Sequence, residues 1–256
     1  MTAPFCLLGG LLAALLMLLT PSKSVEVEIS GYATSLKGRT ASQRINAQKA
    51  AAALDGKIIL PGAEFSFNRI VKSWTFDQGY LKAPVSYDGE LVRAYGGGVC
   101  QTSTTLYNAA LMAGLPISER HSHVFAPHYV PPGRDAAVAQ KTIDLRFRNP
   151  YAFPLRIRTF SKEEVIDIRI LGAERPKTKA WIEGRTLSEI EPQRLTRIRV
   201  IAGSSGKSFL RNPGATGYRV VTYRVVSENG AEKKRERLSD DTYEAMNRVI
   251  QVIEPE

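Results

Sequence analysis

Between positions 41 and 54, Ile45, Ala47, Ala50, Ala51, Ala53 and Leu54 recur among polar residues at helical intervals, and Gly56 follows as a stop. This spacing predicts a helix. A second helix is predicted to open at Cys100, where Val99, Ser103, Leu106, Ala110 and Ala113 repeat in steps of four and three before Gly114. Thr104, Tyr107 and Leu111 continue the neighbouring stripe that starts at Cys100, which sets the thiol at the margin of the buried face. Elsewhere the period is two. Residues 57–60 read as a short strand closed by Pro61-Gly62, and Phe65 and Phe67 alternate with Glu64, Ser66 and Asn68. Residues 83–92 read as a hairpin turning at Asp88-Gly89. From Ile117 the chain is mainly extended, and 144–148, 155–160 and 165–171 each alternate apolar with polar side chains, as an antiparallel sheet with one wet face requires. Charge and Pro176 mark a boundary at 174–179; beyond it, 195–201, 218–226 and 243–253 are strand-like, with a hairpin at Asn229-Gly230. The pattern predicts an α+β fold: two helices packed on a mainly antiparallel sheet over 25–174, then a small β-rich module over 175–256.

The N-terminus changes the setting. Phe5, Leu7, Leu8, Leu11, Leu12, Leu15, Leu16, Met17, Leu18 and Leu19 precede the first charge at Lys23. The run is shorter than the roughly 20 residues that cross a bilayer, so 1–24 is expected to be a signal peptide or an N-terminal anchor. The chain carries 35 basic against 25 acidic residues, a net charge of +10. An exported basic protein meets anionic cell-wall polymers before it meets nucleic acid, and no zinc-finger spacing, Walker loop or aromatic-basic RNA box is present. Nucleic acid is therefore excluded as the expected partner.

Two cysteines are present, Cys6 and Cys100. Cys6 lies in the apolar leader, so Cys100 is left without an intramolecular partner, and an unpaired thiol in an exported protein calls for a role. It follows Gly96-Gly97-Gly98-Val99 and opens a helix, where unsatisfied N–H groups and the helix dipole favour a thiolate. Nucleophilic catalysis also needs a base, a group to orient it and an oxyanion site. The histidines are His121, His123 and His128; in an extended segment His121 and His123 share a face, so both are candidate bases. Asp135 is the candidate orienter, and Arg134 could clamp a substrate carboxylate in a bidentate pair. The amides from Gly98 to Gln101 are the expected oxyanion donors. The competing readings are a packed, inert thiol, and zinc held by Cys100 with the histidines, although no spacing fits a structural zinc site.

Several stretches are similar to one family: Pro61-Gly62-x-Glu64-Phe65-Ser66-Phe67-Asn68, Gly79-Tyr80-x-x-Ala83-Pro84-Val85, Gly96-Gly97-Gly98-Val99-Cys100-Gln101-x-Ser103-x-x-Leu106-Tyr107-Asn108, Glu119-Arg120-His121-x-His123 and Tyr129-Val130-Pro131-x-Gly133-Arg134-Asp135-Ala136. Together they closely resemble the VanW domain, across 41–160. The resemblance implies a bacterial, exported or membrane-tethered protein from a family linked to glycopeptide resistance clusters. Some members act as L,D-transpeptidases that form 3-3 cross-links in peptidoglycan through a conserved cysteine. Carried over by motif, the nucleophile is Cys100, with His121, His123 and Asp135 as its partners. Gly97, Gly98, Gln101, Ser103, Tyr107 and Arg134 are then expected to line the substrate. The implied partners are peptidoglycan stem peptides, and neither a cofactor nor a metal is called for. With water as acceptor the same site would be an L,D-carboxypeptidase, and with an idle thiol a cell-wall-binding scaffold. The ending Leu238-Ser239-Asp240-Asp241-Thr242-Tyr243 resembles G5-like modules.

Overall fold

The computed structural model describes residues 26–87, 90–162, 164–193, 197–202 and 208–254. The expected leader, Cys6 and the Asp88-Gly89 turn lie outside the described residues. In chain order the elements are β1 (Val27–Ser35), α1 (Ala41–Leu54), β2 (Ile58–Ile59), β3 (Glu64–Ser66), α2 (Phe67–Val71), a 3-10 turn (Phe76–Gln78), β4 (Lys82–Tyr87), β5 (Glu90–Tyr95) and α3 (Val99–Met112). Strands follow: β6 (Ile117–Glu119), β7 (Arg146–Arg148), β8 (Leu155–Lys162), β9 (Val165–Gly172), β10 (Thr178–Ile190), β11 (Arg197–Ala202), β12 (Ser208–Asn212), β13 (Gly217–Glu228), β14 (Ala231–Tyr243) and β15 (Val249–Glu254). The fold is α+β.

A four-stranded sheet, in the order β1-β9-β8-β2, carries the main core. On β9 the alternation places Ile166, Ile168 and Ile170 on the inner face with no exposed surface, and Leu155 and Ile157 of β8 join them. Against this face pack Ala47, Ala50, Ala51 and Leu54 of α1 and Leu106, Ala109 and Ala110 of α3, all fully buried. Small residues let the two helices approach closely, with Thr102 Oγ1 donating to Ala47 O at 2.8 Å. Helix α3 is buried along nearly its whole length, and its polar side chains are satisfied internally. Ser30 Oγ donates to Ala109 O at 2.7 Å, and Thr34 and Thr105 share a hydroxyl pair at 2.8 Å.

Three local readings change. Phe67 and Asn68 do not extend the preceding strand: Ser66 Oγ accepts from Arg69 N and caps α2, so the chain turns helical one residue after the last alternating position. The region 174–179 leads directly into β10, a 13-residue strand that pairs along β13, whereas the sequence marked it only as a boundary. The last strand-like stretch divides in two, since β14 ends at Tyr243 and β15 begins at Val249. The Asn229-Gly230 hairpin is present, with both residues at positive φ (52° and 81°) joining β13 to β14.

The glycine run earns its composition from packing. Gly98 caps α3 at φ 112°, and a Cβ there would lie 2.3 Å from Gln43 O of α1; on Gly97 it would lie 2.7 Å from Pro84 O. Buried Asn46 of α1 locks the run in place, donating to Gly97 O and Leu81 O at 2.9 Å and accepting from Leu81 N at 2.8 Å. Replacing Gly98 with Ala is expected to lower the unfolding free energy by about 2–4 kcal/mol, because the left-handed backbone is strained for alanine and the added methyl meets rigid backbone. Urea denaturation followed by circular dichroism measures this.

Candidate active site

Helix α3 presents Cys100 in its first turn, half-buried, with Sγ 3.4 Å from Val138 O. Across from it runs the extended segment that carries His123. His123 faces the Cys100 sulfur, and its Nδ1 lies 2.5 Å from Asp135 Oδ2. With Nδ1 engaged by the carboxylate, Nε2 is the ring nitrogen left for the thiol. The same Oδ2 also accepts from His123 N at 2.7 Å, which fixes the ring relative to its own backbone. Cys100, His123 and Asp135 are thus brought together in the order that a nucleophile, its base and an orienter need.

Its electrostatics follow from burial and pairing. Asp135 has no exposed surface. Burial alone pushes its carboxyl up, but hydrogen bonding to His123 and the charges of His123 and Arg120 bring it down to about 2. Burial lowers His123, and the bonds to Asp135 and Cys100 override it, raising the imidazole to about 10. Burial raises the Cys100 thiol, and the hydrogen bond and charge of His123 more than offset it, so the thiol lies below its ordinary value. Both shifts favour the thiolate–imidazolium form of the pair over the neutral one.

The orienter is itself held by residues far away in the chain. Arg120 Nη2 bonds Asp135 Oδ1 at 3.0 Å, and its Nη1 bonds both oxygens of Asp241 in β14 at 2.6 and 2.7 Å. The Tyr243 hydroxyl, fully buried at the end of β14, donates to Asp135 Oδ1 and accepts from Gly133 N at 2.8 Å. Thr222 of β13 donates to Gly133 O at 3.2 Å, and a Cβ on Gly133 would lie 2.1 Å from that hydroxyl. Strands β13 and β14 therefore form the wall behind the aspartate.

The other expected residues are placed differently. His121 pairs with Glu119 at 3.3 Å, its side chain 47% exposed, and it borders a polar cleft of about 470 Å³ between β6 and β14 whose lining includes neither Cys100 nor His123. His121 and His123 do not look into one cleft, because the backbone of 121–123 is not a regular strand: only His121 makes a bridge, to Ala137. His128 is exposed. Gln101 turns inward, donating to Thr34 Oγ1 and Ser35 O and accepting from Arg39 Nε. Its backbone N–H donates to Gly98 O, which removes it from the expected oxyanion donors. Ser103, fully buried, ties α3 to Ala136 O at 2.7 Å. Tyr107 is buried beneath Arg120, 5.6 Å from ring to guanidinium, and burial pushes its phenol up to about 12. Arg134 is committed to Asn108 Oδ1 at 2.8 Å and to the Tyr32 ring at 5.0 Å. Gly97 and Gly98 face α1 and β4, as described above. Residues that local reading missed are Arg120, Asp241 and Tyr243 behind the aspartate, and Arg39 and Tyr129 beside the sulfur. Arg120 sits inside the quoted Glu119-to-His123 motif and Tyr129 opens another; Arg39 has no motif signal.

Alkylation by iodoacetamide at pH 7 is expected to be about tenfold slower or more in His123→Ala, as the thiol returns toward its free value of about 8.5, and within about twofold of the parent in His121→Ala. The rate in the parent protein should persist below the usual thiol range. Arg120→Met removes the guanidinium that the buried carboxylates of Asp135 and Asp241 share; urea unfolding should show a loss of about 3–5 kcal/mol.

The family model described as VanW like protein matches residues 42–171, and the G5 domain model matches 204–252. The chain is 42% identical over 131 residues to the uncharacterized protein YoaR of Bacillus subtilis (strain 168), covering 51% of this chain and 43% of that protein. It is 31% identical over 137 residues to the vancomycin B-type resistance protein VanW of Enterococcus faecalis (strain ATCC 700802 / V583), covering 52% and 50%. It thus spans about half the length, or less, of these curated relatives. Two solved G5 structures also match: the IgA1 protease G5 domain, at 22% identity and a TM-score of 0.21 over 32% of this chain and 96% of that one, and HP0197-G5, at 25% and 0.15 over 29% and 92%. The VanW match covers half of the chain, including every residue of the Cys100–His123–Asp135 relay. The chain belongs to the VanW family.

Proposed function

We propose that this protein is a cysteine acyltransferase of the bacterial cell wall, an L,D-transpeptidase acting on peptidoglycan stem peptides. The observation that carries the reading is the grouping of Cys100, His123 and Asp135, with His123 bonded to the carboxylate, a thiol lowered and an imidazole raised to about 10. Family membership and the G5 match support a cell-wall setting.

The steps balance within these residues. The Cys100 thiolate attacks the carbonyl carbon of the third residue of a stem tetrapeptide. An S–C bond forms, the C–N bond to the terminal D-alanine breaks, and the His123 imidazolium gives its proton to the leaving amine. Asp135 then faces a neutral imidazole held in the correct tautomer. The side-chain amine of a second stem attacks the thioester, forming a 3-3 amide as the S–C bond breaks, and His123 takes the amine proton. Thiolate and imidazolium are restored, without nucleotide, because the energy of one peptide bond is carried into the next. With water in place of the amine the product is a tripeptide, the L,D-carboxypeptidase outcome.

Incubation with a tetrapeptide should add the acyl mass to the intact protein and release D-alanine. Cys100→Ala is expected to abolish both while melting as the parent does. Unchanged turnover in Cys100→Ala would overturn the reading in favour of a wall-binding protein with an idle thiol. The pH profile should have an acid limb below the ordinary thiol range, where the thiolate is lost, and an alkaline limb near 10, where His123 loses its proton.

A further inference from the structure

Arg39 stands apart among the guanidinium groups near the site. It lies just before α1, half-buried, with Nε donating to Gln101 Oε1 at 3.0 Å and its Cζ 4.9 Å from the centre of the Tyr129 ring. Arg120 is paired by Asp135 and Asp241, and Arg134 is held as Arg39 is, by an amide oxygen of Asn108 and the ring of Tyr32. Arg39 has no carboxylate partner among the described residues, and what sets it apart from Arg134 is that the titratable groups it faces are Cys100 and Tyr129. Both Nη nitrogens lack a protein partner among the described residues, yet neither is sealed from solvent.

This is an unusual way to leave an arginine. Burying part of a charge has a cost that an ion pair or a ligand must offset. Here Gln101 and Tyr129 remove the side chain's freedom without neutralising it. Gln101 is itself immobile, its amide fixed to Thr34 and Ser35. The two outer nitrogens of a planar fork are thus held open beside the nucleophile, the geometry that receives a carboxylate bidentately.

We propose that Arg39, positioned by Gln101 and Tyr129, is the subsite for the terminal carboxylate of the substrate, restricting the enzyme to peptides whose scissile bond is the last one. The proposal rests on the acyl-transfer reading and supplies its specificity. Gln101 follows Cys100 directly, and a terminal amino acid places its carboxylate only one residue, about 3.8 Å between Cα atoms, beyond the attacked position. An anion receptor so near the sulfur accepts a chain end and leaves nothing to pair with in an internal bond. The fork therefore takes the role first expected of Arg134.

The test uses full-length protein carrying Cys100→Ala, which prevents turnover and removes any effect of Arg39 on the thiolate. Calorimetry compares a stem tetrapeptide ending in a free carboxylate with the same peptide ending in a carboxamide. The carboxylate should bind about tenfold or more tightly, as expected for charge-assisted hydrogen bonds. Arg39→Gln in this background should erase the preference, and Arg39→Lys should keep only part of it, since an ammonium lacks the fork. If Arg39→Gln fails to fold, the loss in Arg39→Lys decides. An equal affinity for the two peptides, or a preference that survives both substitutions, overturns the subsite. Failure of the acyl-transfer reading is recognisable separately: the carboxylate preference would persist while no acyl adduct formed on Cys100.

Discussion

The structure depends on holding one negative charge, that of Asp135, fully out of water. A buried carboxylate is costly unless each of its lone pairs is used, and here they are: His123 N and Nδ1 on one oxygen, Arg120 Nη2 and the Tyr243 hydroxyl on the other. Those donors come from a loop near the histidine and from a strand more than a hundred residues later. Because the partners of Asp135 are themselves buried, the aspartate has little freedom to relax. The same rigidity favours His123 as a cation and, through it, draws the Cys100 thiol below its ordinary value.

This arrangement changes the meaning of the C-terminal strands. Tyr243 and Asp241 of β14, with Thr222 and Arg224 of β13, reach into the domain that carries the thiol; Arg224 Nη1 donates to Leu115 O at 2.7 Å, just beyond α3. These strands bear on the site physically, whatever else they bind. Behind the sulfur the charged groups almost alternate: His123, Asp135, Arg120, Asp241. Arg39 has no carboxylate partner among the described residues and faces Cys100.

Helix α3 is the second constraint. A helix with twelve buried residues would ordinarily be apolar, yet this one carries Gln101, Thr102, Ser103, Thr104, Thr105 and Asn108 inside the protein. Each bonds backbone or another hydroxyl, so the helix is pinned in rotation and along its axis. Cys100, at the helix start, is held in place with it. The glycines before it serve the same end, letting the turn press against α1.

Much of this was legible locally. The two long helices, the alternation of β8 and β9 and the Asn229-Gly230 hairpin follow from period and turn chemistry, which act over a few residues. The place of Cys100 at a helix start was legible from the glycine run before it and the stripe after it. The roles of Gln101, Ser103, Tyr107 and Arg134 were not, because a polar side chain in a motif can serve packing or substrate, and only its neighbours decide. Nor was the choice between His121 and His123, which are two residues apart and equivalent on an ideal strand. By itself the sequence determined which segments are helical or extended and that one thiol opens a helix. The tertiary structure alone decided which histidine comes to it, since that depends on contacts such as Asp135 with Tyr243, 108 positions apart, that no local pattern encodes.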